Sequence, residues 1–157
     1  MTQTPSGFDL VLYSPRIPQN VGGIGRLCAA TNTPLHIVRP IPFQLDDRTL
    51  RRSAMDYWEH VSIAVHDDYA ACRAALAGRR HWLFSTRGQR THWEADFRRG
   101  DILLFGSEPA GVPEELHAEI GAEHTLRVPL LNPAARSLNL SMTAGIGLYE
   151  ALRQIRG

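Results

Sequence analysis

Short apolar runs alternate along the chain with longer stretches in which apolar residues recur at helical spacing. This alternation predicts an α/β fold in which a mainly parallel sheet is flanked by helices. The predicted strands are Asp9–Tyr13, Leu35–Val38, Val61–Val65, Trp82–Ser85, Ile102–Phe105 and Thr125–Val128. The predicted helices are Asn20–Thr31, Arg48–Tyr57, Asp67–Ala77, Pro113–Ile120 and Leu140–Ile155. Ligands of such sheets bind beyond the carboxyl ends of the strands, so the loops after Tyr13, Ser85, Phe105 and Val128 are the candidate site.

The composition predicts one globular domain over residues 1–157. Apolar residues make up 43% and charged residues 21% of the 157 positions, as is ordinary for a protein with a single core. No apolar run approaches the ~20 residues of a membrane-spanning helix, and the N-terminus lacks the pattern of a secretory signal. A cytoplasmic protein without a membrane partner is therefore expected. Cys28, Cys72 and seven scattered histidines lack metal-ligand spacing, so no metal is expected.

The basic residues are unusual in kind. The net charge is +1 and all 17 basic residues are arginines, which excludes a P-loop lysine and Schiff-base chemistry. Six arginines stand against two acids between residues 79 and 99, whereas residues 101–123 hold six acids and no arginine. Such blocks are commonly solvated faces, and a strip that binds RNA is the alternative interpretation.

The first candidate loop and its helix read S-P-R-I-P-Q-N-V-G-G-I-G-R from Ser14 to Arg26. The glycines invite a dinucleotide-binding interpretation, but Cys28 stands where that motif needs its third glycine. Arg39 stands where an NAD site needs an acid, so an oxidoreductase is the least favoured class. Asn20 is either a helix cap or a functional residue, and Arg26 is either an exposed helical arginine or a functional one.

The second candidate loop, F-G-S-E-P-A-G-V-P, follows an apolar strand. Gly106 and Gly111 permit a tight turn and close approach by a ligand, and Glu108 is the only charged residue in it. A plain connection needs one glycine, so a ligand-binding loop is favoured. Pro113 suits the first position of the next helix.

The third candidate segment, V-P-L-L-N-P-A-A-R-S-L-N-L-S, leads into the last helix. Ser137, Asn139 and Ser141 alternate with leucines, and a helix cap explains one of these three polar residues but not all of them. Gly145 and Gly147 are poor helix formers, which predicts close packing of this helix against another helix, from this chain or from a second subunit.

Together, N-x-G-x-I-x-R, F-G-x-E-x-x-G-x-P and S-L-N-L-S, in this order and spacing, resemble the SPOUT superfamily of RNA methyltransferases. The similarity is greatest to the small TrmL (YibK-like) tRNA 2′-O-methyltransferases and covers nearly the whole chain. It implies a C-terminal trefoil knot between about Trp82 and the last helix, and S-adenosylmethionine as the cofactor. The positions that match the cofactor site of the family are Phe84, Gly106, Val128, Ser137 and Leu138.

The same resemblance implies a homodimer whose active site is shared across the interface. The implied substrate is the ribose 2′-hydroxyl of the wobble nucleotide of tRNA, a cytidine or modified uridine. Arg26 matches the catalytic residue of the family, and the other matching site residues are Asn20, Glu108 and Asn139. Arg136 and Tyr149 are the implied tRNA contacts.

The chain departs from the family pattern in two places. Pro109 and Ala110 stand where a threonine and a basic residue are usual, and the segment before Arg136 is one residue longer. The first departure removes a cation near the RNA path, so another RNA such as ribosomal RNA is an alternative substrate. A non-catalytic RNA-binding module is the alternative of a different class.

Overall fold

The computed structural model describes residues 4–156, which form a sheet of seven parallel strands. The strands are β1 (Asp9–Tyr13), β2 (Leu35–Val38), β3 (Ile63–His66), β4 (His81–Phe84), β5 (Arg90–Thr91), β6 (Ile102–Phe105) and β7 (Thr125–Arg127). Their order across the sheet is β3-β2-β1-β6-β4-β7-β5. The central strands are buried on both faces, which is why they are mainly apolar and do not alternate between apolar and polar residues.

Five helices cover the two faces of the sheet. They are α1 (Pro18–Thr31), α2 (Arg48–Ala54), α3 (Tyr69–Ala75), α4 (Glu114–Ile120) and α5 (Leu140–Arg156). Side chains of α1, α2 and α5 share one buried cluster with Leu10 and Leu12 of β1. Side chains of α3 and α4 share a second cluster with Val11. Successive residues of β1 thus serve opposite faces, as the pleat of a strand requires.

The six predicted strands and five predicted helices are confirmed, with ends that shift by a few residues. The strand β5 was not predicted, because its two residues are polar and form no apolar run. The helix α2 ends early at Met55, whose φ of 57° breaks the helical path, and a 3-10 turn continues over Met55–His60. Asn20 does not cap α1, since that helix begins two residues earlier at Pro18.

The parallel register places the carboxyl ends of four strands side by side. Phe105 pairs with both Leu12 and Phe84, and Phe84 pairs in turn with Leu126. The loops that follow β1, β4, β6 and β7 therefore leave the sheet at one edge. The trefoil knot concerns how the chain is threaded, which strand order alone does not establish, and it stays a prediction. Within residues 4–156, no helix is long and apolar enough to cross a membrane.

Two glycines set the distance between α1 and its neighbours. A Cβ on Gly22 would lie 2.3 Å from the Leu50 carbonyl oxygen of α2, and one on Gly25 would lie 2.5 Å from the Trp58 ring. In α5, Gly147 packs against the ring of Phe84, so its close partner is a strand of the same chain and not a helix as predicted. Gly145 faces open space.

We predict that Gly22→Ala lowers the free energy of unfolding by about 1–3 kcal/mol, because the new methyl group forces α1 and α2 apart. Gly23→Ala is the matched control in the same helix, since its Cβ would meet only Ser141 at an ordinary 3.5 Å. That control should be neutral, or stabilising by up to about 1 kcal/mol through helix propensity. Denaturant unfolding of both variants at equal protein concentration tests this, and equal effects would contradict the packing argument.

Candidate active site

A cleft with a volume of about 330 Å³ lies at the carboxyl edge of the sheet. Loops after β4, β6 and β7 form its walls, as predicted from the direction of the strands, whereas the loop after Tyr13 does not line it. All five residues predicted to hold the cofactor line it, namely Phe84, Gly106, Val128, Ser137 and Leu138. The volume falls in the ~300–1,000 Å³ range of small-ligand sites. The cleft is therefore large enough to hold a ligand and is walled by the predicted residues.

The loop after β6 folds back on itself to form one wall of this cleft. Ser107 and Gly111 are joined by a backbone bridge, and Gly111 has a φ of 75°, which few residues other than glycine adopt. A Cβ on Gly106 would lie 2.7 Å from the Gly111 carbonyl carbon. Both glycines are thus required by the backbone path, and the absence of a side chain at Gly106 lets the two arms of the loop pack closely.

A chain of hydrogen bonds joins the three candidate segments. The Asn139 side-chain Nδ2 donates to Asn20 Oδ1 over 3.0 Å, and Asn20 Nδ2 donates to Glu108 Oε1 over 3.0 Å. The other oxygen of Glu108 accepts the backbone N–H of Arg16 at 3.0 Å. Asn20 is 5% exposed, so its amide is committed to these two partners. These hydrogen bonds hold the side chain of Glu108, which lines the cleft, in one orientation.

Asn139 has a second role at the start of α5. Its side-chain oxygen accepts the backbone N–H of Ser141 at 2.9 Å, and its backbone oxygen accepts the N–H of Thr143 at 3.0 Å. Asn139 is therefore the helix cap among the three alternating polar residues. Ser137 is free of that role and lines the cleft instead.

Arg26 does not join this group within one chain. It follows Asn20 by six residues in α1, which corresponds to about 240° of rotation around the helix axis. Its guanidinium is exposed, lies 3.1 Å from the sulfur of Met55 and stands 5.3 Å from the centre of the Tyr57 ring. Of the two predicted RNA contacts, Arg136 lines the cleft, whereas Tyr149 lies on the exposed face of α5.

The arginine-rich block between residues 79 and 99 is largely committed to structural contacts. Arg79 pairs with Asp9, Arg80 with Asp101, Arg87 with Glu114 and Arg98 with Asp96. Arg90 donates to two backbone carbonyls. These contacts argue against a free RNA-binding strip, and they give most of the block a structural role that was not predicted from the sequence.

Exposed arginines of α2 form a basic surface to which the sequence analysis gave no role. Arg48, Arg51 and Arg52 are exposed, and within residues 4–156 none of them has a carboxylate partner. The helix α2 packs directly on α1, which carries Arg26. The signal available in the sequence was the run L-D-D-R-T-L-R-R, but sequence alone does not show which arginines are free of acidic partners.

Comparison with known proteins places this geometry in a family. Residues 7–149 match the SpoU rRNA methylase family. The chain belongs to this family. A tRNA (cytidine(34)-2′-O)-methyltransferase of Methylovorus glucosotrophus is 48% identical over 94% of this chain and 95% of the relative.

Solved structures resemble this SpoU methylase along its whole length. One that concerns 2-OH methylation of C/U34 on tRNA superposes with a TM-score of 0.89 at 47% identity, over 94% of this chain and 95% of the other. An AdoMet-bound rRNA methyltransferase from Sinorhizobium meliloti superposes with a TM-score of 0.82 at 26% identity, over 100% of this chain and 63% of the other. The prediction of the SPOUT superfamily and its fold is confirmed.

We predict that Asn20→Asp destabilises this SpoU methylase at neutral pH, because a carboxylate replaces the donor to Glu108 and two negative charges then face each other. The free energy of unfolding should fall by about 1–3 kcal/mol. Repulsion raises the pKa of one carboxyl in the folded state above its unfolded value. The loss is therefore full above that folded pKa and shrinks as the pH falls through it.

The matched control is Asn132→Asp, because Asn132 is exposed and its side-chain oxygen only accepts the Ala134 N–H, which an aspartate can also do. Denaturant unfolding between neutral and acidic pH measures both variants against the unchanged protein. A pH-independent loss in Asn20→Asp, or an equal loss in the control, would contradict the role given to the Asn20–Glu108 hydrogen bond.

Proposed function

We propose that this protein transfers a methyl group from S-adenosylmethionine to the ribose 2′-hydroxyl of the wobble nucleotide of tRNA, a cytidine or modified uridine. The observation that carries the proposal is the 48% identity, over 94% of the chain, to a tRNA (cytidine(34)-2′-O)-methyltransferase. The cleft at the carboxyl edge of the sheet supports it, because all five residues that match the cofactor site of the family line this cleft. The reaction belongs in the cytoplasm, where tRNA is available.

The cleft suits S-adenosylmethionine. Phe84, Val128 and Leu138 offer apolar walls, Gly106 leaves its backbone groups accessible, and Ser137 offers a hydroxyl. The bound cofactor supplies an electrophilic methyl group. The residues of the chain have to fix the position of the ribose oxygen relative to that group, and alignment of this kind contributes about 7–11 kcal/mol in favourable cases.

Arg26 is the residue proposed to act on the ribose oxygen. A guanidinium has a pKa above about 12 and keeps its proton in proteins, so it is unsuited to act as a base. We assign it to stabilising the negative charge that develops on the 2′-oxygen and to holding the neighbouring phosphate. Glu108, Asn20 and Asn139 shape the cleft edge through their hydrogen bonds and are positioning residues.

A homodimer is part of the proposal, because Arg26 does not line the cleft of its own chain and instead contacts Met55 and Tyr57. The exposed face of α5 carries Met142, Ile146 and Tyr149, which are 62%, 38% and 57% exposed and lie one helical turn apart. Gly145 lies between them with open space in front of it. A second copy seated on this face would cover the apolar side chains, and Arg26 of one protomer would then serve the cleft of its partner.

The tRNA backbone is proposed to bind along α2 and the cleft mouth. Arg48, Arg51 and Arg52 are free to neutralise phosphates, and Arg136 lines the cleft. Such binding weakens with salt, because each neutralised phosphate releases counterions. A 2′-hydroxyl target also makes DNA unusable as a substrate.

We expect labelled methyl from S-adenosylmethionine to appear on the wobble ribose when the protein is incubated with total tRNA. Mapping of 2′-O-methylation by nucleotide identifies the site. Label on ribosomal RNA but not on tRNA would overturn the substrate and retain the reaction. Binding of tRNA without any methyl transfer would show that the protein is an RNA-binding module and not an enzyme.

We expect Arg26→Ala to lower kcat by about 10²–10³-fold, as the loss of one charge-stabilising donor does in other enzymes. Its Kd for tRNA should change by only a few fold, and Arg26→Lys should recover part of kcat, since it keeps the charge but not the planar fork. Arg98→Ala is the control, because Arg98 is an exposed arginine paired with Asp96. Substantial transfer by Arg26→Ala with intact tRNA binding would remove the assigned role.

We expect Ile146→Asp to dissociate the dimer and abolish transfer, whereas Ala118→Asp, which adds the same charge at an exposed position of α4, should do neither. Sedimentation measures the mass of the particle that each variant forms.

Mixed dimers of Arg26→Ala and Gly106→Ala subunits distinguish an active site shared between the subunits from two independent active sites. Activity restored on mixing supports a shared site, and two inactive variants that stay inactive when their mixed dimer is shown to form would contradict it.

A further inference from the structure

Three side chains of metal-ligand type meet on the α3 side of the sheet. His36 lies on β2, His66 ends β3 and Cys72 lies in α3. One ligand atom from each lies within 4.8 Å of the other two. Because β2 and β3 are parallel neighbours with Val38 opposite His66, the pleat turns both imidazoles to the face that α3 covers.

The spacing of the two imidazoles is close to that of a tetrahedral zinc site. His36 Nδ1 and His66 Nε2 are 3.0 Å apart. Zinc bonds nitrogen at 2.0–2.1 Å with tetrahedral angles, which separates two ligand nitrogens by about 3.3 Å. A few tenths of an ångström of outward movement thus converts the present pair into a chelating pair.

The ring of His36 is already oriented as a metal ligand would be. Its other nitrogen, Nε2, lies 2.7 Å from Asp9 Oδ2, and the second oxygen of Asp9 accepts a hydrogen bond from Arg79 at 2.9 Å. In a neutral imidazole, a carboxylate that accepts the N–H of one ring nitrogen leaves the other nitrogen with its lone pair, which is the arrangement typical around zinc-bound histidines. In His36 that other nitrogen is Nδ1, which faces His66 Nε2.

Cys72 would bind a metal as a thiolate, because the thiolate and not the thiol is the metal ligand. Binding of Zn²⁺ would break the S–H bond, form a Zn–S bond and release the proton to solvent.

We propose that His36, His66 and Cys72 form a Zn²⁺ site, with Asp9 orienting His36 and a water molecule completing four ligands. His66 is half-buried, which gives the ion a path from solvent. The ion would tie β2, the edge strand β3 and α3 together. This site is separate from the cleft, since none of its residues lines that cleft, and the inference does not rest on the proposed methyl transfer.

The test uses tag-free, metal-stripped protein titrated with Co²⁺ and with Zn²⁺. We expect one Co²⁺ per chain with a thiolate-to-cobalt charge-transfer band and the intense visible absorption of tetrahedral cobalt. Zn²⁺ should displace it and raise the unfolding midpoint by on the order of 5 °C at a hundredfold excess over its Kd. Cys72→Ser should abolish the charge-transfer band, and His66→Gln should weaken binding at least tenfold.

The matched control is Cys28→Ser, because Cys28 is the other buried free cysteine and lies in α1 outside the cluster. This variant should keep the band and the stoichiometry. Should Cys72→Ser unfold, His66→Gln and Asp9→Asn still test the site, the latter through an expected tenfold to hundredfold loss of affinity. No Co²⁺ or Zn²⁺ binding by the unchanged protein, or binding unaffected by all three cluster variants, would overturn the proposal.

Discussion

The amide of Asn20 is the contact on which the candidate active site depends. It accepts from Asn139 and donates to Glu108, residues 119 and 88 positions away along the chain. A buried amide left without partners costs about 1–3 kcal/mol, so the fold is favourable only when both partner segments are in place. One side chain near the start of α1 thereby fixes the loop after β6 and the start of α5 relative to each other. These two hydrogen bonds of the Asn20 amide help to keep the shape of the cleft edge between those segments.

Much of the fold was predictable because the sheet is parallel and buried on both faces, so its strands stand out as apolar runs. The strand β5 and the end of α2 at Met55 were not, since the first has two polar residues and the second depends on a single φ. In the candidate site, the loops that wall the cleft could be predicted from the order of the motifs and the direction of the strands. The contact between Asn20 and Glu108 did not follow from the residues alone, because no local spacing encodes a pair 88 positions apart.

Charge was the least informative signal in the sequence. Most arginines of the densest block form ion pairs, such as Arg79 with Asp9 and Arg80 with Asp101. These two pairs lie at the amino ends of β1 and β6. Buried or half-buried carboxylates need such partners, so arginines close to strands are drawn into the fold. The arginines of α2 remain free because their side chains face solvent and the helix itself contains no acidic residue that could pair with them. RNA binding therefore depends on which arginines the fold leaves unpaired, and only the three-dimensional structure shows this.

The pleat of the sheet also separates the proposed zinc site from the helix α1, which carries Asn20 and Arg26. In β1, Asp9 turns toward α3 and orients His36, whereas Leu10 and Leu12 turn toward α1 and carry the helix that holds Asn20 and Arg26. Histidines 30 positions apart carry no metal signal in the sequence, but adjacent parallel strands bring them to hydrogen-bond distance. An ion at the histidine cluster would brace β2, β3 and α3 on one face of the sheet, whereas α1 packs on the other face.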